Sequence, residues 1–148
     1  MSVEQIMANV RYAPVGSTDY TGPADASFAI EAIDETVLAA LAEAQDEGEP
    51  DLIVELIDLY LDDAPQWVAA IRAAVAQADV FALQRAAHTL KGSSGSMGVR
   101  QVAEICRLIE QMNCDASAAS DVVLLDLLDR EFERARAALR SLRDRRIL

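Results

Sequence analysis

The 148-residue sequence holds one histidine, one lysine and two cysteines, so little covalent or metal chemistry is open to it. A single imidazole (His88) excludes any zinc site that needs two histidines. Cys106 and Cys114 are eight residues apart, which is neither a CxxC redox pair nor a zinc-ligand spacing. They are read as ordinary reduced thiols, with Cys106 buried. Cations are scarce as well: 13 Lys and Arg stand against 25 Asp and Glu, a formal charge of −12. Nucleic acid and anionic membranes are gripped through Lys and Arg, so neither is expected as a partner. No run approaches the ~18 apolar residues of a membrane-spanning helix. The first residues, MSVEQIMANVRYAPVG, lack the basic and apolar regions of a secretory signal, and a cytoplasmic location is expected. Only 6 Gly and 4 Pro punctuate the chain.

What is present is apolar and helix-forming. Hydrophobic residues make up 52% of the chain, enough for one domain with its own core. Residues 1–30 carry Pro14, Gly16, Gly22 and Pro23 with no sustained period, and read as an acidic, weakly ordered arm. Met1 to Gly48 hold one Arg against nine acids, so much of the net charge sits at that end. Residues 31–148 read as the folded domain. Asp34 is an N-cap candidate for a short helix ahead of Gly48-Glu49-Pro50. Asp51 to Gln77 places Leu52, Leu56, Leu59, Tyr60, Val68, Ile71 and Val75 at helical spacing, with Pro65 predicting a kink or two collinear helices. Asp79 caps a helix from Val80 to about Met97, with Gly98 as its stop. Arg100 to Asn113 and Ser120 to about Arg143 follow, the latter turning Leu124, Leu127 or Leu128, Leu139 and Leu142 inward. Nothing alternates with period two. The expected fold is all-α: an antiparallel, up-down four-helix bundle with an additional short N-terminal helix.

The helix from Val80 carries the two rarest side chains. On a helical wheel, Phe81, Gln84, Lys91, Gly92 and Gly95 all fall within about 60° of His88, to one side or the other. Leu83, Ala86, Leu90, Ser94 and Met97 occupy the opposite side and form the core face. His88 and Lys91 therefore point to solvent one turn apart. Gly92 and Gly95, at ~1 kcal/mol each in a helix interior, make poor sense for stability alone. Without side chains they leave a bare approach surface beside the imidazole. A nucleophilic imidazole, an adjacent ammonium and open space suit a phosphoryl group attached to nitrogen.

At this point the residues resemble a known family. His88-Thr89-Leu90-Lys91-Gly92-Ser93-Ser94 followed by Met97-Gly98 is similar to the HxLKGSS…G signature of histidine-phosphotransfer (HPt) proteins of multistep phosphorelays. Leu56 to Pro65 upstream and Ala103 to Glu110 downstream agree, and the resemblance spans about Asp34 to Leu142. It implies that His88 accepts a phosphoryl group from an aspartyl phosphate on the receiver domain of a hybrid sensor histidine kinase and relays it to the receiver of a response regulator. Lys91 would screen the phosphate, Gly92 would leave room for the receiver, and Ser93 would hydrogen-bond nearby. Gln84, Gly95 and Phe81 complete the candidate binding face. Many members have Gln where this chain has Glu110; a carboxylate there would repel a phosphoryl group, and Glu110 is given no direct role.

A carrier of this kind needs no cofactor of its own, and the divalent metal is expected on the partner receiver. No ATP site is expected: Gly92-Ser-Ser-Gly95-Ser-Met-Gly98 lacks the GK[ST] ending of a phosphate-binding loop. A Ser–His hydrolase would require GxSxG after a strand. An adaptor bundle without phosphate chemistry would not need the histidine. A kinase phosphoacceptor domain would be followed by an ATP-binding domain, which the sequence up to Leu148 does not contain. The chain is therefore read as a free-standing, monomeric carrier rather than an enzyme.

Overall fold

The computed structural model describes residues 32–46, 48, 51–112, 114 and 119–147, and the N-terminal arm expected over 1–30 lies outside them. Five helices follow in order: α1 (Glu35–Glu43), α2 (Leu52–Ala76), α3 (Val80–Ser96), α4 (Arg100–Ile109) and α5 (Ala119–Ile147). There is no strand among the described residues.

Three of the helix starts follow from one residue type. Asp34, Asp51 and Asp79 each sit in extended backbone and accept a hydrogen bond from Thr36, Ile53 and Ala82 N–H, at 3.0 Å in each case. Each carboxylate satisfies an N–H that has no partner within the helix and favours the positive end of the dipole. Pro65 lies inside α2, which runs without a break through it. Its missing N–H costs the helix one bond to the Leu61 carbonyl, and packing of the flanking turns outweighs that loss.

The bundle closes as a ring. α2 packs on α3 and α5, and α4 packs on the same two helices. Connections of three residues (77–79 and 97–99) join neighbours that lie side by side, so α2, α3 and α4 alternate in direction. The shared core includes Ile53, Ile57 and Ile71 of α2, Leu83 and Leu90 of α3, Ile105 and Ile109 of α4, and Leu128 and Leu139 of α5. Each such side chain contributes about 1.5–3 kcal/mol of burial. Leu83, Ala86, Leu90, Ser94 and Met97 face inward as expected, and the buried Ser94 hydroxyl meets the Tyr60 hydroxyl at 2.8 Å. Cys106 and Cys114 are free and buried.

Two expectations are corrected. Leu59 is 58% exposed, and Ile53 and Ile57 take the buried positions on α2. The run Leu52 to Leu61 is apolar on nearly every side, so its phase is set by the neighbouring helices rather than by its own pattern. α4 also ends at Ile109, short of Asn113. α1 is the additional short helix; it packs on α2, and the backbone just ahead of it reaches the α3–α4 turn through Asp34 N–H to the Gly98 carbonyl at 2.7 Å. Ion pairs tie the far end of α5 to this region, Arg146 to Asp51 at 2.7 Å and Arg145 to Glu35 at 3.3 Å. Exposed pairs of this kind add at most about 1 kcal/mol each.

The two short turns end their helices in the same way with different residues. After α2, Ala78 N–H bonds to Val75 O and Asp79 N–H to Ala74 O; after α3, Gly98 N–H bonds to Gly95 O and Val99 N–H to Ser94 O. Both patterns need a left-handed residue, and both have one: Ala78 at φ 53° and Gly98 at φ 78°. Substitution at the two sites should therefore have opposite signs. Ala78→Gly should stabilise by about 1 kcal/mol, raising the melting temperature by about 3 °C. Gly98→Ala should cost about 2 kcal/mol or more, because a Cβ there would lie 2.5 Å from the Asp34 carbonyl oxygen. Thermal and urea unfolding of both variants is the check.

Candidate functional site

The site forms where one stripe of α3 meets the end of α4. Gln84, His88 and Lys91 succeed one another along α3 at turn spacing, and all three reach Glu110, the C-cap residue of α4. Gln84 Nε2 donates to the Glu110 backbone carbonyl at 3.5 Å. Lys91 Nζ lies 2.9 Å from Glu110 Oε1, and His88 Nδ1 lies 3.3 Å from the same oxygen. The antiparallel register explains the meeting. His88 and Glu110 are at similar distances from Gly98, and each helix rises ~1.5 Å per residue away from that turn.

Solvent access differs sharply among the three charged or titratable groups. The His88 side chain is 74% exposed, Lys91 32% and Glu110 24%. The imidazole thus stands above a half-buried ion pair. A carboxylate oxygen at 3.3 Å would repel a lone pair on Nδ1, so the ring proton is assigned to that nitrogen. Nε2 then keeps its lone pair, free to attack an electrophile.

The surroundings are as bare as the two glycines suggest. A Cβ built on Gly92 or on Gly95 would meet nothing within 4 Å. Phe81 is 70% exposed, with the Arg85 guanidinium 5.9 Å from its ring centre. The Ser93 hydroxyl donates to the Thr89 carbonyl of its own helix at 3.1 Å. Thr89 and Ser96 hydroxyls return to Arg85 and Gly92 carbonyls in the same manner. These bonds fold the small polar side chains back on α3 and keep them off the open face.

The expected face of Phe81, Gln84, His88, Lys91, Gly92 and Gly95 is thus brought together, with Ser93 turned to its own backbone. Glu110, given no direct role on the sequence alone, is at its centre. The similar offsets of His88 and Glu110 from Gly98, ten and twelve residues, are the signal in the sequence that points to it. Arg85, about 60° from His88 on the wheel and not named among the expected residues, is a cation beside Phe81 and a further member of the face.

Beneath the site lies Cys106, wholly buried. Desolvation first, and then the Glu110 carboxylate, push its thiol up to about 12. Thiolate is the reactive form, so Cys106 in the folded protein should resist a disulfide reagent at neutral pH and react only on unfolding. Labelling with and without urea, followed by peptide mapping, tests this.

Similarities to known proteins follow the same lines. Residues 55–138 match the Hpt domain family. Histidine-containing phosphotransfer proteins 5 and 2 of Arabidopsis thaliana are 28% and 26% identical over 106 residues, covering 69% of this chain and 67% of each relative. Among solved structures, histidine-containing phosphotransfer protein B (HptB) from Pseudomonas aeruginosa PAO1 superposes with a TM-score of 0.66 at 28% identity, over 76% of this chain and 95% of that one. ZmHP2 from maize, also a histidine-containing phosphotransfer protein, gives 0.63 at 26% identity, over 74% and 85%. An all-helical bundle, an exposed imidazole beside a lysine on its third helix and a family match over most of the folded region converge: this chain belongs to the Hpt domain family, whose function is histidine phosphotransfer in phosphorelays.

Proposed function

We propose that His88 is the residue that carries the phosphoryl group, taking it from the aspartyl phosphate of one receiver domain and giving it to the aspartate of another. The observation that carries this reading is the exposed ring with Nδ1 turned to Glu110 and Nε2 directed away from it. Nε2 attacks phosphorus, the new P–N bond forms as the P–O bond to the receiver's aspartate breaks, and that carboxylate leaves with the electron pair. Such a transfer depends on an in-line approach and on neutralising charge around the phosphoryl oxygens. Lys91 supplies a cation one turn from the ring.

The open surface over Gly92 and Gly95 supports close approach of a receiver, with Phe81 and Gln84 as further contacts. The fitting partners are the receiver of a hybrid sensor histidine kinase and that of a response regulator. The divalent metal that the chemistry requires belongs to the receiver in this reading, and the chain acts as a carrier without an ATP site of its own. We place it in the cytoplasm as a monomer. No helix among the described residues is long and apolar enough to cross a membrane.

Incubation with a phosphorylated receiver should label the protein with acid-labile, base-stable phosphate. His88→Gln should abolish the label with the helical signal unchanged, and label that persists in this variant would sink the assignment. Lys91→Ala should slow transfer roughly tenfold with the helical signal unchanged, while the unfolding midpoint falls by about 2–5 °C because Glu110 loses its cation. Rapid-quench kinetics is the measurement, and an unchanged rate would make the ammonium a bystander.

A further inference from the structure

We propose that Glu110 sets how readily the site discharges: its carboxylate holds Lys91 while His88 is empty and opposes the phosphoryl group once His88 is loaded. This rests on the reading of His88 as the phosphoacceptor.

The geometry of Oε1 is the starting point. It lies 2.9 Å from Lys91 Nζ and 3.3 Å from His88 Nδ1, is itself shielded from water, and makes no well-aligned hydrogen bond. Its partners therefore act on it through charge, and a shielded carboxylate oxygen depends on the cation beside it. The backbone of Glu110 is held separately, by Gln84 Nε2 on its carbonyl and by its own N–H on Cys106 O. The side chain cannot easily be carried away by movement of the main chain. Cys106, behind it, stays a neutral thiol and offers no competing charge.

Loading changes the charge above this carboxylate. The ring that attacks must have a lone pair on Nε2, so it enters the transfer neutral, with its proton on Nδ1. After Nε2 bonds to phosphorus the ring keeps that proton and carries a positive charge, while the phosphoryl group carries two negative ones. The unit as a whole has gained one negative charge. Lys91 then faces two anions and has one ammonium. If it turns to the phosphoryl oxygens, Glu110 Oε1 loses the ammonium at 2.9 Å and keeps only the ring Nδ1–H at 3.3 Å, whose positive charge is outweighed by the phosphoryl group on the same ring. If it stays with Glu110, the phosphoryl group lacks its neighbouring charge. A neutral amide at position 110 would impose neither loss, while its oxygen could still face Nδ1.

The consequence concerns the equilibrium between phospho-carrier and phospho-receiver, where a purely structural residue would have no effect. The probe is a receiver domain charged with acetyl phosphate and chosen because it labels the wild-type chain. Glu110→Gln should shift the equilibrium toward phospho-His88 by roughly three- to tenfold, read as the ratio of the two phosphorylated species. In a Lys91→Ala background the same substitution should have less than half that effect, because the competition for the ammonium is gone. Since the chain has one histidine, its ring gives a single set of ¹⁵N signals, which should report the proton on Nδ1 in both wild type and Glu110→Gln. A ratio unchanged by Glu110→Gln, or shifted toward the receiver, overturns the proposal, as does a shift equally large without Lys91. If neither a charged receiver nor phosphoramidate labels His88 in the wild-type chain, the phosphoacceptor reading fails first and this proposal falls with it.

Discussion

The α3–α4 turn is the constraint on which the site depends. Gly98, at φ 78°, lets the chain reverse within three residues, and its carbonyl accepts Asp34 N–H at 2.7 Å. There is no room for a side chain there, because the Asp34 carbonyl occupies the space that a Cβ would need. The turn is thus closed from within by two backbone bonds and from outside by the segment leading into α1. A turn held this way fixes the register of α3 against α4, and register decides which residue lies opposite His88. Were α4 to slip by one residue, Glu110 would rotate by about 100° and leave the ring without its neighbour.

Helices suit this task because one element separates the two roles. On α3 the inward stripe of Leu83, Ala86, Leu90 and Ser94 is buried, while His88 and Phe81 on the outward side are largely exposed. The inward stripe anchors the helix at several points, so the exposed imidazole is carried on a rigid frame despite making few contacts itself. The glycines on the outer face weaken α3 locally, and burial on its other side offsets the cost.

Much of this is legible in the sequence, for identifiable reasons. Aspartates before apolar runs mark Asp34, Asp51 and Asp79 as helix starts, since a short carboxylate next to free N–H groups is a local matter. The α3 wheel reads correctly because its apolar stripe is narrow and its polar side unambiguous. The α2 phase does not, since Leu52 to Leu61 is apolar almost all round and only the packed neighbours distinguish Ile57, fully buried, from Leu59. Pro65 leaves one helix rather than two collinear ones for a related reason: a lost backbone bond is local, whereas the packing that carries α2 through it is not. Glu110 escapes a reading in which a carboxylate simply repels phosphate. That reading considers the loaded state alone, and in the empty site the same carboxylate has a lysine and an imidazole to attract it.

A carrier in a relay works between two demands, since it must accept the phosphoryl group and must not keep it. An ammonium beside the acceptor favours acceptance, and with nothing opposing it would favour retention too. On the proposed reading of His88, pairing that ammonium with a carboxylate in the resting site would moderate both, because stabilisation that the phosphoryl group drew from Lys91 would be offset by what Glu110 lost. The offset needs no movement beyond the lysine side chain and no second ligand. It requires only that the cation be shared, which the 2.9 Å contact at the end of α4 already arranges.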